Sequence, residues 1–196
     1  MPISKFYQKN DIPVRLCGTG RDGAVHKGRQ NLQGAAYVFI NKFCKDKTVL
    51  DVGSGLAKGL KTLAKTAKSV RGIDKYDDRL KEFGVEKVDI KDIPDKSYDI
   101  VSCVDVIEHV KDDLDLLNDL KRVAKELVFV TTPNYNFTKC NNRYHYREYT
   151  PEEFIERLNP TRLFTTTASG AKQVEITDIE KQKDKFKQHL CGIFEV

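Results

Sequence analysis

The stretch Thr48–Gly55 constrains the fold of this chain more than any other segment, because it joins a buried strand to a glycine turn. Its β-branched and aliphatic residues lead into Asp51, and Gly53 and Gly55 follow directly after. Such a run predicts a strand of a parallel sheet that enters a tight turn, with a helix starting at about Leu56. Glycine at both turn positions would let a ligand approach the backbone where a side chain would block it.

The charge beside this turn indicates the kind of ligand. Asp51 precedes the first glycine, where a carboxylate would repel a pyrophosphate but attract a cationic amino-acid group. The sequence therefore favours a nucleoside with a positively charged tail, and S-adenosylmethionine fits that description. The competing interpretation is a nicotinamide-dependent dehydrogenase. It is disfavoured because Lys58 stands where the third glycine of the dinucleotide pattern G-x-G-x-x-G would be.

Acidic residues also end the strands that follow. The predicted second strand, Ser69–Ile73, leads to Asp74, which lies 19 residues after the glycine turn and can accept both ribose hydroxyls. The third, Glu86–Val88, leads to Asp89 and Ile90, a carboxylate for the adenine amine and an apolar cover for the ring. The predicted fourth strand, Tyr98–Val104, ends at another acid. The predicted cofactor-binding residues are Asp51, Gly53, Ser54, Gly55, Asp74, Lys75, Asp89, Ile90, Val104 and Asp105.

The order of these segments resembles a class I S-adenosylmethionine-dependent methyltransferase, with a domain of the type 11 or type 23 kind, over residues 31–196. The resemblance implies an α/β fold: a Rossmann-like, seven-stranded, mostly parallel sheet with helices on both faces and an inserted, antiparallel last strand. The predicted helices are Asn31–Phe43, Leu56 to about Lys65, Asp112–Ala124, and Pro151 to about Leu158 after a capping box at Thr150. The remaining predicted strands are Glu126–Thr132, Arg162–Thr166 and His189–Val196.

Composition limits the rest of the interpretation. A chain of 196 residues with 39% hydrophobic and 32% charged residues predicts one soluble domain of residues 31–196, with residues 1–30 as an N-terminal segment that is either a lid or a loose tail. No apolar run is long enough for a membrane span. Five widely spaced cysteines predict a reducing, cytoplasmic compartment, and the apolar contexts of Cys44, Cys103 and Cys191 predict buried free thiols at those three positions. The net charge of +5 permits an anionic acceptor such as RNA without requiring one.

The acceptor side is predicted to lie in two loops, residues 105–110 and 133–149. The second loop is long, polar and aromatic, which is typical of functional loops. His109 and His145 are the candidate general bases because imidazole titrates near neutral pH. Arg143 and Arg147 could meet a phosphate or carboxylate, or form a solvated surface. His26 and His189 are interpreted as surface or packing residues.

These loops also contain a candidate metal site formed by Asp105, Glu108, His109 and His145. The spacing resembles the metal-binding pattern of small-RNA 3′-end 2′-O-methyltransferases, except that Asp105 stands where that family usually has glutamate. The resemblance implies Mg²⁺ or Mn²⁺, with zinc as another candidate, and such an ion would lower the pKa of a ribose hydroxyl.

The same loops resemble the broader group of small-molecule methyltransferases, including ubiquinone-biosynthesis-like and sugar-modifying members. In that interpretation Glu108 is structural and His109 lines the pocket. The predicted function is therefore S-adenosylmethionine-dependent O-methylation of a small molecule or sugar. The two alternatives are a metal-dependent RNA ribose 2′-O-methyltransferase and a non-catalytic S-adenosylmethionine-binding partner subunit. The sequence does not identify the acceptor or the oligomeric state.

Overall fold

A computed structural model describes residues 27–75, 84–139, 142, 145–166, 173–178, 181–182 and 188–196. Within them, the helices are α1 (Lys27–Asn41), α2 (Leu60–Leu63), α3 (Asp113–Val123), α4 (Tyr135–Thr138) and α5 (Pro151–Leu158). The strands are β1 (Thr48–Val52), β2 (Ser69–Asp74), β3 (Val85–Lys87), β4 (Tyr98–Val104), β5 (Ala124–Pro133), β6 (Arg162–Thr166), β7 (Gln173–Ile176) and β8 (His189–Glu195). Two 3₁₀ turns, Ile90–Asp92 and Ile107–His109, follow β3 and β4.

The strands form one sheet in the order β3-β2-β1-β4-β5-β8-β6-β7. Strands β1 to β5 pair in parallel, and β8 runs antiparallel between β5 and β6. This topology confirms the predicted mixed α/β sheet with an inserted antiparallel last strand. The strand order reverses between β1 and β4, and ligands of open α/β sheets bind in the crevice at the carboxyl ends of the strands at such a point.

The predicted number of seven strands is wrong, because β7 adds an eighth. This strand pairs antiparallel with β6 at the edge of the sheet. Its four residues are mostly half exposed and only Ile176 is buried. So short a strand gives little hydrophobic alternation for a sequence-based prediction.

The core lies on both faces of the sheet, and alternate residues of each strand serve opposite faces. Val128 and Val130 of β5 pack in the larger cluster with α3 and α5, whereas Phe129 packs in the second cluster with α1. Phe39 and Phe43 of the α1 region meet Phe129, with ring centroids 6.4 and 5.1 Å away. The sheet is thus covered on both faces, which explains the nearly continuous apolar runs of its central strands.

The helix boundaries follow local signals with two departures, one of which is that α1 begins at Lys27, four residues before the predicted start at Asn31. Helix α5 begins with the predicted capping box, in which Thr150 and Glu153 exchange side-chain and backbone hydrogen bonds. The predicted helix start at Leu56 is wrong, since α2 begins only at Leu60. Ala57 adopts a positive φ of 59°, which is incompatible with a right-handed helix at that point. The glycine turn is therefore longer than the sequence indicates.

Candidate active site

The two glycines of the turn after β1 play different roles. Gly53 and Gly55 both have positive φ, 73° and 48°. A Cβ added at Gly53 would lie 2.4 Å from a methyl of Val106, so this glycine allows the loop after β4 to pack against the turn. Among the described residues, no atom lies within 4 Å of a Cβ added at Gly55. Of these two glycines, Gly55 is therefore the one that has open space beside it in the described part of the chain.

Asp51, which the sequence predicts to receive the cationic group, is completely buried at the end of β1. Ser102 stands opposite it on β4 and donates from Oγ to Oδ1 over 2.6 Å. The Tyr37 hydroxyl on α1 donates to Oδ2 over 3.0 Å. Burial raises the pKa of Asp51 to about 6, although both hydroxyls and Ser54 oppose the rise. Sequence reasoning missed Tyr37 and Ser102, which no motif marks.

The other residues that are predicted to bind the cofactor lie along the same edge of the sheet. Asp74, at the end of β2, accepts a hydrogen bond from the backbone N–H of Gly55 at 3.3 Å. Asp89 caps the first 3₁₀ turn by accepting from the backbone N–H of Lys91 at 3.1 Å, and Ile90 is nearly buried behind it. Lys75 is exposed, whereas Ser54 and Val104 are buried. The structure thus brings the predicted carboxylates to the ends of adjacent strands.

Asp105, which is predicted to be a metal ligand, contacts residues outside the predicted metal site in this structure. It has a left-handed backbone, with φ of 54°, and its carboxylate contacts Nε2 of His189 and accepts from the Thr131 hydroxyl at 3.0 Å. His189, which the sequence interpretation places at the surface or in packing, is buried on β8 in this pair. The contact spans 84 positions of the chain and has no local sequence signal. His26 lies outside the described residues.

The other three predicted metal ligands do come together. Potential ligand atoms of Glu108, His109 and His145 all lie within 4.8 Å of one another, and Asp105 is not part of this group. The rings of the two histidines meet edge to face, with centroids 4.8 Å apart. Glu108 is completely buried, His145 is nearly so, and His109 is partly exposed. One carboxylate and two imidazoles thus face a shared point beside the donor edge.

His145 is held by Glu148, which the sequence interpretation does not count among the site residues. Nδ1 of His145 lies 2.5 Å from Oε1 of Glu148, and the hydroxyl of Thr138 donates to the other carboxylate oxygen. The side-chain amide of Asn142 lies 2.9 Å from Nε2 of His145. The arrangement fits an imidazole that donates from Nδ1 and accepts at Nε2. A carboxylate behind Nδ1 fixes the tautomer and orients the ring.

Backbone contacts fix this loop against the turn after β4. The backbone N–H groups of Tyr146 and Arg147 both donate to the carbonyl of Glu108, at 2.6 and 3.0 Å. Residues 140, 141, 143 and 144 of the loop, including Arg143, lie outside the described residues. The segment that carries His145 is thereby tied to the segment that carries His109.

A buried ion cluster around Asp113, the first residue of α3, completes the attachment. Arg157 donates to both carboxylate oxygens at 2.7 Å, Tyr149 donates its hydroxyl at 2.6 Å, and Arg147 contacts the same carboxylate. Burial of Asp113 favours the neutral acid and raises its pKa. The hydrogen bonds from Arg157, Tyr149 and Arg147 together outweigh this effect and lower the pKa of Asp113 to about 2. Arg147 therefore binds the Asp113 carboxylate within the fold, whereas the sequence suggests either a phosphate or carboxylate contact or a solvated surface.

The cysteines among the described residues are buried, and their thiols are expected to be unreactive. Cys44, Cys103 and Cys191 are free and buried, as predicted. Burial raises the pKa of Cys44 and Cys191 to about 12 and that of Cys103 above its usual value, so the reactive thiolate is scarce at neutral pH. Cys17 and Cys140 lie outside the described residues. Among those residues, no helix is both long and apolar enough to cross a bilayer.

Proteins similar to this chain are methyltransferases. Residues 27–173 match the model of a family described as a methyltransferase domain. A ubiquinone biosynthesis O-methyltransferase of Hydrogenovibrio crunogenus is 29% identical over 137 residues, which cover 61% of this chain and 55% of that protein. The chain spans about half the length of the curated relatives it matches.

Solved structures with the same fold are more distant in sequence. The SAM dependent methyltransferase from Archaeoglobus fulgidus superposes with a TM-score of 0.63 at 20% identity and covers 86% of this chain and 94% of its own. The methyltransferase domain of bacterial CtHen1-CN gives a TM-score of 0.58 at 24% identity, with 86% and 99% covered. At these identities the likeness establishes the fold, including the inserted antiparallel strand.

Proposed function

Because the chain belongs to the methyltransferase domain family, we propose that it transfers a methyl group from S-adenosylmethionine to a hydroxyl of a small molecule or sugar. The enzyme class predicted from the sequence, an S-adenosylmethionine-dependent methyltransferase, is confirmed by the family match. Oxygen is the proposed acceptor atom because the curated relatives are named O-methyltransferases. The observation that carries the proposal is the juxtaposition of strand-end carboxylates and a buried His145–Glu148 pair at one edge of the sheet.

The donor half of the proposal assigns each part of S-adenosylmethionine to one strand end. Asp51 at β1 is completely buried here and would receive the ammonium of the amino-acid part only after the residues that cover it move aside. Asp74 at β2 would accept the ribose hydroxyls. Asp89 and Ile90 would meet the amine and the face of the adenine. Val104 would pack beside the amino-acid part at the end of β4. Each charge-assisted hydrogen bond of this kind contributes roughly 1.5–3 kcal/mol.

The acceptor half assigns proton removal to His145. As the acceptor oxygen attacks the methyl carbon, the carbon–sulfur bond breaks and S-adenosylhomocysteine leaves as a neutral thioether. The hydroxyl proton passes to Nε2 of His145, and Glu148, 2.5 Å from Nδ1, stabilises the imidazolium that forms. Asn142, which now lies beside Nε2, would have to give way to the acceptor. The buried histidine then acts as a general base oriented by a carboxylate.

The second candidate function is metal-dependent 2′-O-methylation of an RNA ribose, and the group of Glu108, His109 and His145 favours it. Ligands bound to one ion at about 2.1 Å lie no more than about 4.2 Å apart, so a spread of 4.8 Å needs only a small side-chain adjustment. The mixed nitrogen and oxygen donors suit Mg²⁺, Mn²⁺ or zinc. A bound divalent ion would lower the pKa of the acceptor hydroxyl. Nε2 of His145 would then be a ligand, so it could not serve as the base.

Two measurements test the proposed activity. Calorimetric titration with S-adenosylmethionine and with NADH checks the donor, and binding of NADH alone would refute a methyltransferase. Transfer from tritiated S-adenosylmethionine is then measured with a catechol, a sugar and an RNA oligonucleotide, beside the same RNA ending in 2′-deoxyribose. Labelled phenol or sugar supports the first function, whereas label in the ribose-ended RNA alone supports the second. Donor binding without transfer to any acceptor would favour the non-catalytic partner subunit.

A chelation arm of the same assay separates the two mechanisms. Addition of EDTA, followed by Mg²⁺ or Mn²⁺, should abolish and then restore turnover if Glu108, His109 and His145 hold an ion. Turnover that EDTA leaves unchanged would leave His145 as the base and reject the ion. The Glu108→Gln variant provides a matched control, since it keeps the size of the side chain and weakens a metal ligand.

We also propose that the protein works in the cytoplasm. The support is the three free cysteines among the described residues, all of them buried and unbridged. Such thiols are typical of a reducing compartment.

A further inference from the structure

Tyr37 links helix α1 to the carboxylate on which the proposed donor site depends. Its hydroxyl donates to Oδ2 of Asp51 at 3.0 Å, while Ser102 holds Oδ1 from the opposite side at 2.6 Å. All three residues are buried. Two hydroxyls, one from a helix and one from a neighbouring strand, thus fix the plane of the Asp51 carboxylate.

The ring of Tyr37 is itself held by the turn that follows β1. A Cβ added at Gly59 would lie only 2.1 Å from the Cζ atom of Tyr37, so the ring rests directly on the Gly59 backbone. Gly59 immediately precedes helix α2. Tyr37 therefore contacts both ends of the same structural unit: the last part of β1, and the end of the glycine turn. A shift of Tyr37 would disturb Asp51 without any change in the sheet.

We propose that Tyr37 is a positioning residue for the methyl donor, acting through Asp51 to aim that carboxylate at the ammonium of the amino-acid part. The inference rests on the proposed function. Burial and then the charge of Asp51 raise the pKa of Tyr37, so its hydroxyl remains a proton donor across the working pH range. Because this hydrogen bond favours the carboxylate over the neutral acid, it also helps Asp51 to carry a charge in a site without water contact.

The test is the affinity of Tyr37→Phe for two adenosine ligands, of which only one has the amino-acid part. S-adenosylmethionine carries the ammonium, whereas 5′-methylthioadenosine has the same nucleoside and lacks it. Tyr98→Phe is the matched control, because the Tyr98 hydroxyl accepts from Arg71 at 3.3 Å at the start of β4, at the opposite edge of the sheet. Both affinities are measured by calorimetry on wild type and both variants, with thermal unfolding in parallel.

The expected result is about a tenfold loss of S-adenosylmethionine affinity in Tyr37→Phe and a change of less than about twofold for 5′-methylthioadenosine. Tyr98→Phe should bind both ligands as wild type does. Unchanged binding of S-adenosylmethionine to Tyr37→Phe, or an equal loss for both ligands, would overturn the positioning role while leaving the proposed function intact. If the wild-type protein binds no S-adenosylmethionine, the proposed function and this inference both fail.

Discussion

Replacement of Asp51 by asparagine should make the protein more stable at neutral pH while it removes donor binding. The carboxylate is completely buried, and its pKa of about 6 lies above the ordinary value of 3.8. The folded state therefore binds the proton more tightly than the unfolded state does. As pH rises through the window from about 4 to about 6, the free energy of unfolding loses about 3 kcal/mol from this group, at 1.36 kcal/mol for each pKa unit.

Asparagine does not titrate, and its amide occupies the same space between the hydroxyls of Ser102 and Tyr37. Each hydroxyl can rotate to donate or accept, so the neutral side chain resembles the protonated acid. The difference in unfolding free energy between Asp51→Asn and wild type should be close to zero at pH 4 and about 3 kcal/mol in favour of the variant at pH 7. S-adenosylmethionine should raise the melting temperature of wild type and leave that of the variant unchanged.

Urea denaturation of both proteins at pH 4, 5, 6 and 7 measures this difference, and the other titrating groups cancel in it. Asp99→Asn is the matched control. Asp99 lies at the start of β4 and accepts from the backbone and hydroxyl of Thr48, which lowers its pKa. The stability from this lowered pKa is lost only as pH falls below the ordinary value of 3.8, so the difference between Asp99→Asn and wild type should stay nearly constant from pH 4 to pH 7. A difference between Asp51→Asn and wild type that stays constant over the pH range would refute the argument.

Four further outcomes are expected. Asp74→Ala should abolish binding of S-adenosylmethionine in calorimetry, whereas His145→Ala should bind it normally and lose turnover; equal losses of donor affinity would contradict this division of the site. His189→Ala should lower the free energy of unfolding by about 2 kcal/mol, because it removes a buried partner of Asp105, and a double-mutant cycle of the two positions should give a coupling of at least about 1 kcal/mol. Asp113→Ala should cost roughly 3 kcal/mol in urea denaturation, since two guanidinium groups lose their shared carboxylate. The low pKa of Asp113 contributes stability above pH 4 that is lost as pH falls toward about 2, so the wild-type protein should unfold in acid more steeply than this variant.

The sequence predicts where the candidate donor-binding carboxylates lie in the fold, because those residues follow one another along the chain. Asp51, Asp74 and Asp89 each lie within two residues of the end of a strand, and parallel strands bring their carboxyl ends to one edge. Hydrophobic runs and glycine mark those strands without knowledge of the tertiary structure. The capping box at Thr150 is equally local, and it places helix α5 correctly. Features that depend only on neighbouring residues, such as a strand end or a helix cap, can therefore be predicted from a short stretch of sequence.

The acceptor half is less predictable because its contacts join distant parts of the chain. Asp105 has a spacing typical of a metal ligand, yet its partner His189 lies on the last strand. Asp113 opens a helix with an acid, as the helix dipole favours, and nothing local shows that its carboxylate binds Arg157, 44 positions later. In the sequence alone, Tyr37 resembles the other apolar residues of an amphipathic helix. For such residues the sequence pattern predicts the helix, strand or loop that contains the residue, but not the distant residue that it contacts.

This contrast bears on how the two halves are built. The donor carboxylates stand on a sheet whose register is fixed by buried residues on both faces, so their spacing is set by the fold itself. The acceptor histidines stand on two loops, and the contacts that position those loops are the Glu108 carbonyl, which accepts from two backbone N–H groups, and the Asp113 ion cluster. Substitutions at Asp113 and Arg157 should therefore reduce turnover with little effect on donor affinity, although neither residue touches the reacting atoms. Under the proposed function, the acceptor preference can then change through these loop attachments, while the sheet edge assigned to the donor stays the same.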